Sequence, residues 1–136
     1  MSSLKVIIFI IVLILLIVLP GLFSFAYVVS SSNSIIDSIN IIKTNINNND
    51  WEAALENTNI MKNKWDKTSS MWYIFIESSM VDQIDMLIEN IKYHVALHDD
   101  YTALNEISLL KYYITKIPEN EKFSLNNILY FNLILQ

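Results

Sequence analysis

No charged side chain lies between Lys5 and Asp37, and this stretch opens with a nearly unbroken apolar run, VIIFIIVLILLIVL, before Pro20 and Gly21 lead into LFSFAYVV. A helix needs about 20 apolar residues to cross a hydrocarbon core roughly 30 Å thick, and Val6 to Ala26 supplies them. The pattern predicts a transmembrane anchor over residues 1–29. Pro20-Gly21 followed by Ser24-Phe25-Ala26 also fits a signal segment cut near Ala26, which would release the remainder. The apolar run resumes beyond Leu19, so the retained anchor is the preferred expectation. The flank MSSLK carries Lys5 and no acid. That asymmetry places it in the cytoplasm and everything after about Val29 outside.

Beyond a polar joint at Ser30 to Asn33, the apolar positions recur at helical spacing. Ile35, Ile39, Ile42 and Ile46 step by four, three and four, predicting a helix over about 34–46 that ends at Asn47-Asn48-Asn49-Asp50. A second helix begins at Trp51, capped by Asn49 with Glu52 as a capping box, or equally by Asp50. Leu55, Thr58, Met61 and Trp65 mark its buried face, and Thr68-Ser69-Ser70 a second joint. The third and longest runs from about Met71 to His98 with the stripe Trp72, Ile76, Met80, Ile84, Leu87, Ile91 and Val95. Asp99-Asp100 separates it from a fourth, Tyr101 to Ile117, which Pro118 stops. The stretch Ser124 to Leu135 is too short to span and is expected to close the bundle as a packed helix, with a membrane-surface segment as the alternative. The expected fold is therefore all-α: an N-terminal transmembrane helix, then an antiparallel bundle of four to five helices. It comprises two successive helical hairpins and a closing C-terminal helix, and occupies residues 30–136.

Composition narrows the class further. About 100 of the 136 residues follow the anchor, enough for one small core. The single glycine, Gly21, argues against a turn-rich sheet protein. With no cysteine there is no disulfide framework and no residue for lipoprotein acylation. Outside the anchor, eight lysines and no arginine face fourteen acids, a net of about −6. Nucleic acid is excluded as a partner, because phosphate contact needs a concentrated basic face. Anionic lipid headgroups would repel such a domain as well.

Asp50-Trp51-x-Ala53 is echoed by Asp100-Tyr101-x-Ala103. This is either a duplicated hairpin of the kind that builds solenoids or a common way to start a helix. Several positions carry a wider likeness: the apolar anchor, Asp50-Trp51 with Ala54-Leu55, the paired Trp65 and Trp72, and Ile84-Asp85. Asp100…Ala103…Glu106-Ile107 and Glu121…Ser124-Leu125-Asn126-Asn127-Ile128-Leu129 complete it. In these the chain resembles an uncharacterised domain-of-unknown-function family of short membrane-anchored helical proteins from spore-forming, anaerobic Gram-positive bacteria. The resemblance implies a location and a helical fold, and no reaction. Members often carry a histidine and an acid early in the third helix. Here that stretch reads Glu77-Ser78-Ser79, so no role transfers.

Candidate chemistry is sparse. No glycine follows Gly21 to cradle a phosphate, and no serine sits in a nucleophile elbow. His94 and His98, four apart on one helix face beside Asp99 and Asp100, are the best candidate metal ligands. Two imidazoles alone do not make a zinc site. Asp82, Asp85 and Glu89 are spaced as solvated charges along a helix rather than as carboxyls facing across a cleft. No catalytic residue and no cofactor is expected. Trp51, Trp65 and Trp72, with Thr58 between them, share one side of a helix. They read first as core, second as a partner-binding face and third as a sugar platform. The expected function is a membrane-anchored, extracytoplasmic interaction module without catalysis, an accessory subunit of a membrane or cell-envelope complex with a protein partner. The alternative is an exported binding protein for a small ligand or cell-wall glycan using the tryptophan face.

Overall fold

The computed structural model describes the backbone of residues 2–134 and the side chains of residues 2–120. Four helices follow one another: α1 (Ser3–Asn47), α2 (Trp51–Phe75), α3 (Ser78–Ala96) and α4 (Asp100–Ile134). There is no strand among the described residues. Hydrogen bonds fix the relative directions. Trp72 Nε1 donates to Ser31 Oγ at 2.8 Å, Lys64 Nζ to Ser38 Oγ at 3.0 Å and Asn57 Nδ2 to Asn45 Oδ1 at 3.2 Å. The partners climb α1 as they descend α2, so the pair is antiparallel. Lys62 reaches Glu89, and Tyr73 reaches Asp82, in the same sense between α2 and α3. Each helix packs on its sequence neighbours, and α4 packs back on α1, closing a four-helix ring rather than an open solenoid.

The expected joint at Ser30 to Asn33 is absent. α1 runs unbroken for 45 residues, roughly 68 Å, from the oily leader into the bundle. The serines that read as a linker do not interrupt it. Ser31 Oγ donates to the Tyr27 carbonyl at 2.8 Å, satisfying its hydroxyl on the preceding turn, and Ser31 and Ser32 are buried. Pro20 sits inside the helix without ending it.

The joint at Thr68 to Ser70 is absent for the same reason: Thr68 Oγ1 donates to the carbonyls of Lys64 and Trp65 at 3.1 Å. The break comes later, at Ile76 (φ −115°, ψ 148°) and Glu77, so the helix expected over Met71 to His98 is divided between α2 and α3. Periodicity alone hides this break, since Ile76 stays buried in either arrangement. Pro118 does not stop α4 either. The closing segment 124–135 is helical as far as Ile134, while its side chains, and with them its packing, lie outside the described residues.

The two distal turns are built alike. After α1, Asn49 takes φ 57°, its N–H donating to Ile46 O at 2.9 Å, and the Asp50 N–H returns to Asn45 O at 2.9 Å. After α3, His98 takes φ 55°, with His98 N to Val95 O at 3.1 Å and Asp99 N to His94 O at 3.0 Å. Both are Schellman closures that pass directly to an aspartate cap. Asp50 Oδ1 accepts from Ala53 N at 3.1 Å, and Asp99 Oδ1 from Thr102 N at 3.1 Å. The cap of α2 is therefore Asp50, with Asn49 serving as the left-handed residue. The cap of α4 is Asp99, so the true equivalence is Asp50 with Asp99 rather than with Asp100.

Candidate functional site

At the offset of 49 residues that relates these caps (99 less 50), the core superimposes on itself in sequence. Ser32, Ile35, Ser38, Ile39, Ile42 and Ile46 of α1 are buried, and so are Val81, Ile84, Leu87, Ile88, Ile91 and Val95 of α3. Ala54, Thr58, Met61 and Trp65 of α2 match Ala103, Ile107, Leu110 and Ile114 of α4, again all buried.

Trp65 and Trp72 are fully buried, with ring centroids 5.2 Å apart in an edge-to-face pair. An indole buried this deeply needs an acceptor for its N–H and small neighbours for its bulk. Ser31 serves Trp72, and Asp85 accepts the Trp65 Nε1–H from α3. Of the three tryptophans read first as core and second as a partner-binding face, the structure buries Trp65 and Trp72. Only half-buried Trp51 reaches the surface.

Around the Trp65–Asp85 bond runs a polar seam between α2 and α3. Tyr73 donates to Asp82 and lies 3.5 Å from Asp85 Oδ2. Asp82, by accepting this proton, is the main cause that pushes the phenol up to about 12. Lys62 bridges Asp66 at 2.5 Å and Glu89 at 3.3 Å, and these bonds, Asp66 first, raise its pKa. The acids that sequence spacing left as solvated charges are partners that hold α2 to α3.

The histidines diverge. His98, exposed beyond the end of α3, stacks on Trp51 at 4.9 Å and 9°. His94 Nδ1 stays on the helix, 3.2 Å from Asp99 Oδ2 but short of hydrogen-bond geometry. Asp99 is held below the ordinary carboxylate range, chiefly by the bonds to Thr102, with His94 contributing less. The left-handed turn at His98 separates the two rings that an uninterrupted helix would stack. No cluster of three or more metal-ligating side chains occurs among the described residues.

The bundle has two unlike ends. The Trp51–His98 stack joins the two Schellman turns at the distal end, where Tyr101 (82% exposed), Tyr93 and Leu97 stand open. At the other end, the α2–α3 turn lies beside the outgoing α1 and presents Ile74, 68% exposed. Tyr101 and Ile74 escaped sequence reasoning because each lies within a helical pattern and only the position of the turns exposes it. Among the described residues, shallow depressions open on the sides. Asn40, Ile41, Thr44 and Asn45 line one, and Leu55, Asn59, Glu89, Lys92, Tyr93 and Ala96 another. Neither is bordered by Trp65 or Trp72.

Residues 2–20 are exposed throughout, and none of the most apolar 18-residue window of α1 is buried. By length and composition this helix can cross a membrane. These features define a helical bundle carried on a long, uncovered apolar helix. The chain belongs to the family described as Domain of unknown function (DUF4363), whose family model matches residues 22–128. It matches no curated protein and no solved structure.

Proposed function

We propose that the chain is a membrane-anchored, extracytoplasmic interaction module, an accessory subunit of a membrane or cell-envelope complex, and that it performs no catalysis. One observation carries this reading: an exposed apolar helix long enough to span continues without a joint into a bundle whose core is already filled. An uncovered apolar surface of that size is stable in lipid and not in water. Lys5 at its start supports a cytoplasmic N-terminus and a bundle on the exterior. Retention rather than cleavage near Ala26 is supported by the family match, which begins at residue 22, on the leader side of that point.

The filled core favours a protein partner over a glycan, because Trp65 and Trp72 are fully buried and have no face left to stack on a sugar. The partner face we assign is the distal end, where Trp51, Tyr101, Tyr93 and Leu97 offer aromatic and apolar area of the kind that dominates protein interfaces. A photo-crosslinking residue at Tyr101 in intact cells should capture one defined membrane or envelope protein, while the same residue at Asn63 on the side should not. Equal, unspecific capture from both sites would reject the reading. A reporter fused after Gln136 should be active outside the cytoplasm, and cytoplasmic activity would reject the orientation.

A further inference from the structure

The end of the bundle nearest the apolar leader has its own surface chemistry. Between Lys67 and Glu77 the chain reads TSSMWYIFI, nine residues without a charge in an otherwise acidic domain. This segment ends α2 and forms the turn into α3. Trp72, Phe75 and Ile76 point wholly or partly into the bundle, while Ile74 is 68% and Tyr73 41% exposed. The acids nearby are engaged: Asp82 with Tyr73, Glu77 with Ser79, and Glu119 with Lys116.

The register of α1 and α2 sets the height of this turn. Trp72 is bonded to Ser31, so Ile74, two residues further down α2, comes level with about Val29 of α1. If Val6 to Phe25 fill the hydrocarbon layer, Val29 stands about 6 Å above its outer edge. The headgroup layer is roughly 5–8 Å deep, and it is where tyrosine and other amphipathic side chains settle. The turn therefore ends within that layer, beside the point where α1 enters the membrane.

We propose that the α2–α3 turn is a second membrane contact, with Ile74 and Tyr73 seated in the phospholipid headgroup layer of the bilayer that α1 spans. The inference rests on the anchor reading above and adds a site to it. Two contacts on one face hold the bundle against the membrane and leave the distal aromatic end pointing away from it. Its occupant is the lipid surface itself, since Thr68 to Ile76 carry no charge and the Trp72–Ser31 bond sets this run beside the foot of α1, next to its apolar stretch.

The chain has no cysteine, so single cysteines can be labelled with an environment-sensitive fluorophore in the full-length protein. I74C tests the contact, with L13C in the apolar leader and Y101C at the distal end as references. After reconstitution into phosphatidylcholine vesicles, the label at 74 should shift to the blue. Lipid carrying a quencher near the headgroup should quench it several-fold more than aqueous iodide does. A label at 74 that iodide quenches as fully as at 101, while the label at 13 responds only to lipid quenchers, would overturn this contact and leave the anchor standing. Iodide access at 13 as well would remove the anchor and the contact together.

Discussion

Where the first hairpin buries Trp65, the second, 49 residues on, buries Ile114, and the same contrast recurs along both pairs of helices. Ser32, Ser38 and Thr58 in the first hairpin stand where Val81, Leu87 and Ile107 stand in the second. The turns, caps and buried positions are shared, while the contents are not. Small hydroxyl residues leave room for indoles, and the indole N–H groups then require acceptors, which Ser31 and Asp85 provide. The second hairpin fills the same frame with branched aliphatic side chains that need no such partners. Among the described residues, side-chain hydrogen bonds join the helices of the first hairpin, whereas the second is held by the packing of its apolar side chains. Helix periodicity is common to both solutions, because it specifies which positions face inward and not what occupies them.

Paired substitutions at equivalent positions test this contrast, in the full chain held in detergent micelles and unfolded by denaturant under near-ultraviolet circular dichroism. Trp65→Ala should have the largest effect, about 3–5 kcal/mol, since it empties an indole site and strands Asp85. Ile114→Ala should cost about 2–4 kcal/mol. Equal losses would mean that the Trp65–Asp85 hydrogen bond adds nothing. Next in size, a cycle of Trp72→Phe and Ser31→Ala should show a coupling of about 1 kcal/mol. Coupling indistinguishable from zero would show that the bond at 2.8 Å is incidental to the packing.

The shared frame has its own test. Asp50→Ala should cost about 1 kcal/mol through loss of its cap, and Asp99→Ala should lower the unfolding midpoint to a similar degree. Loss at one site alone would break the equivalence of the two turns. Asp99 is held below its ordinary pKa, so its contribution is present above about pH 4 and lost as pH falls further. The smallest effect concerns Tyr73, whose pKa is raised to about 12. The bond that raises it contributes fully below pH 10 and is lost as pH climbs towards 12. In Asp82→Asn, ultraviolet titration should show one tyrosine, absent from Tyr73→Phe, moving back towards 10.

Much of this was legible from residue spacing: four helical stripes, both distal turns, and the core identities of Ile35 through Ile46 and Ile107 through Ile117. Three boundaries were misplaced for one physical reason. Ser31, Thr68 and Pro118 belong to residue types that end helices in isolation. Yet a hydroxyl can bond back to its own preceding turn, and a packed bundle can absorb one missing backbone bond. The real break at Ile76 and Glu77 contains neither glycine nor proline, and the stripe runs on through it. The tryptophans were assigned to one helix face, and core was the first reading. What spacing could not supply was their acceptors, because Ser31 and Asp85 come from other helices.

The unbroken passage of α1 from leader to bundle has a mechanical consequence. A helix without a hinge transmits its inclination, and membrane-crossing helices commonly lean by about 20° as bilayer thickness varies. Along the roughly 25 Å from Ser31 to Asn47, such a lean carries the far tip sideways by about 9 Å. If α1 spans a bilayer as proposed, bilayer thickness would then set where Trp51 and Tyr101 stand above its surface.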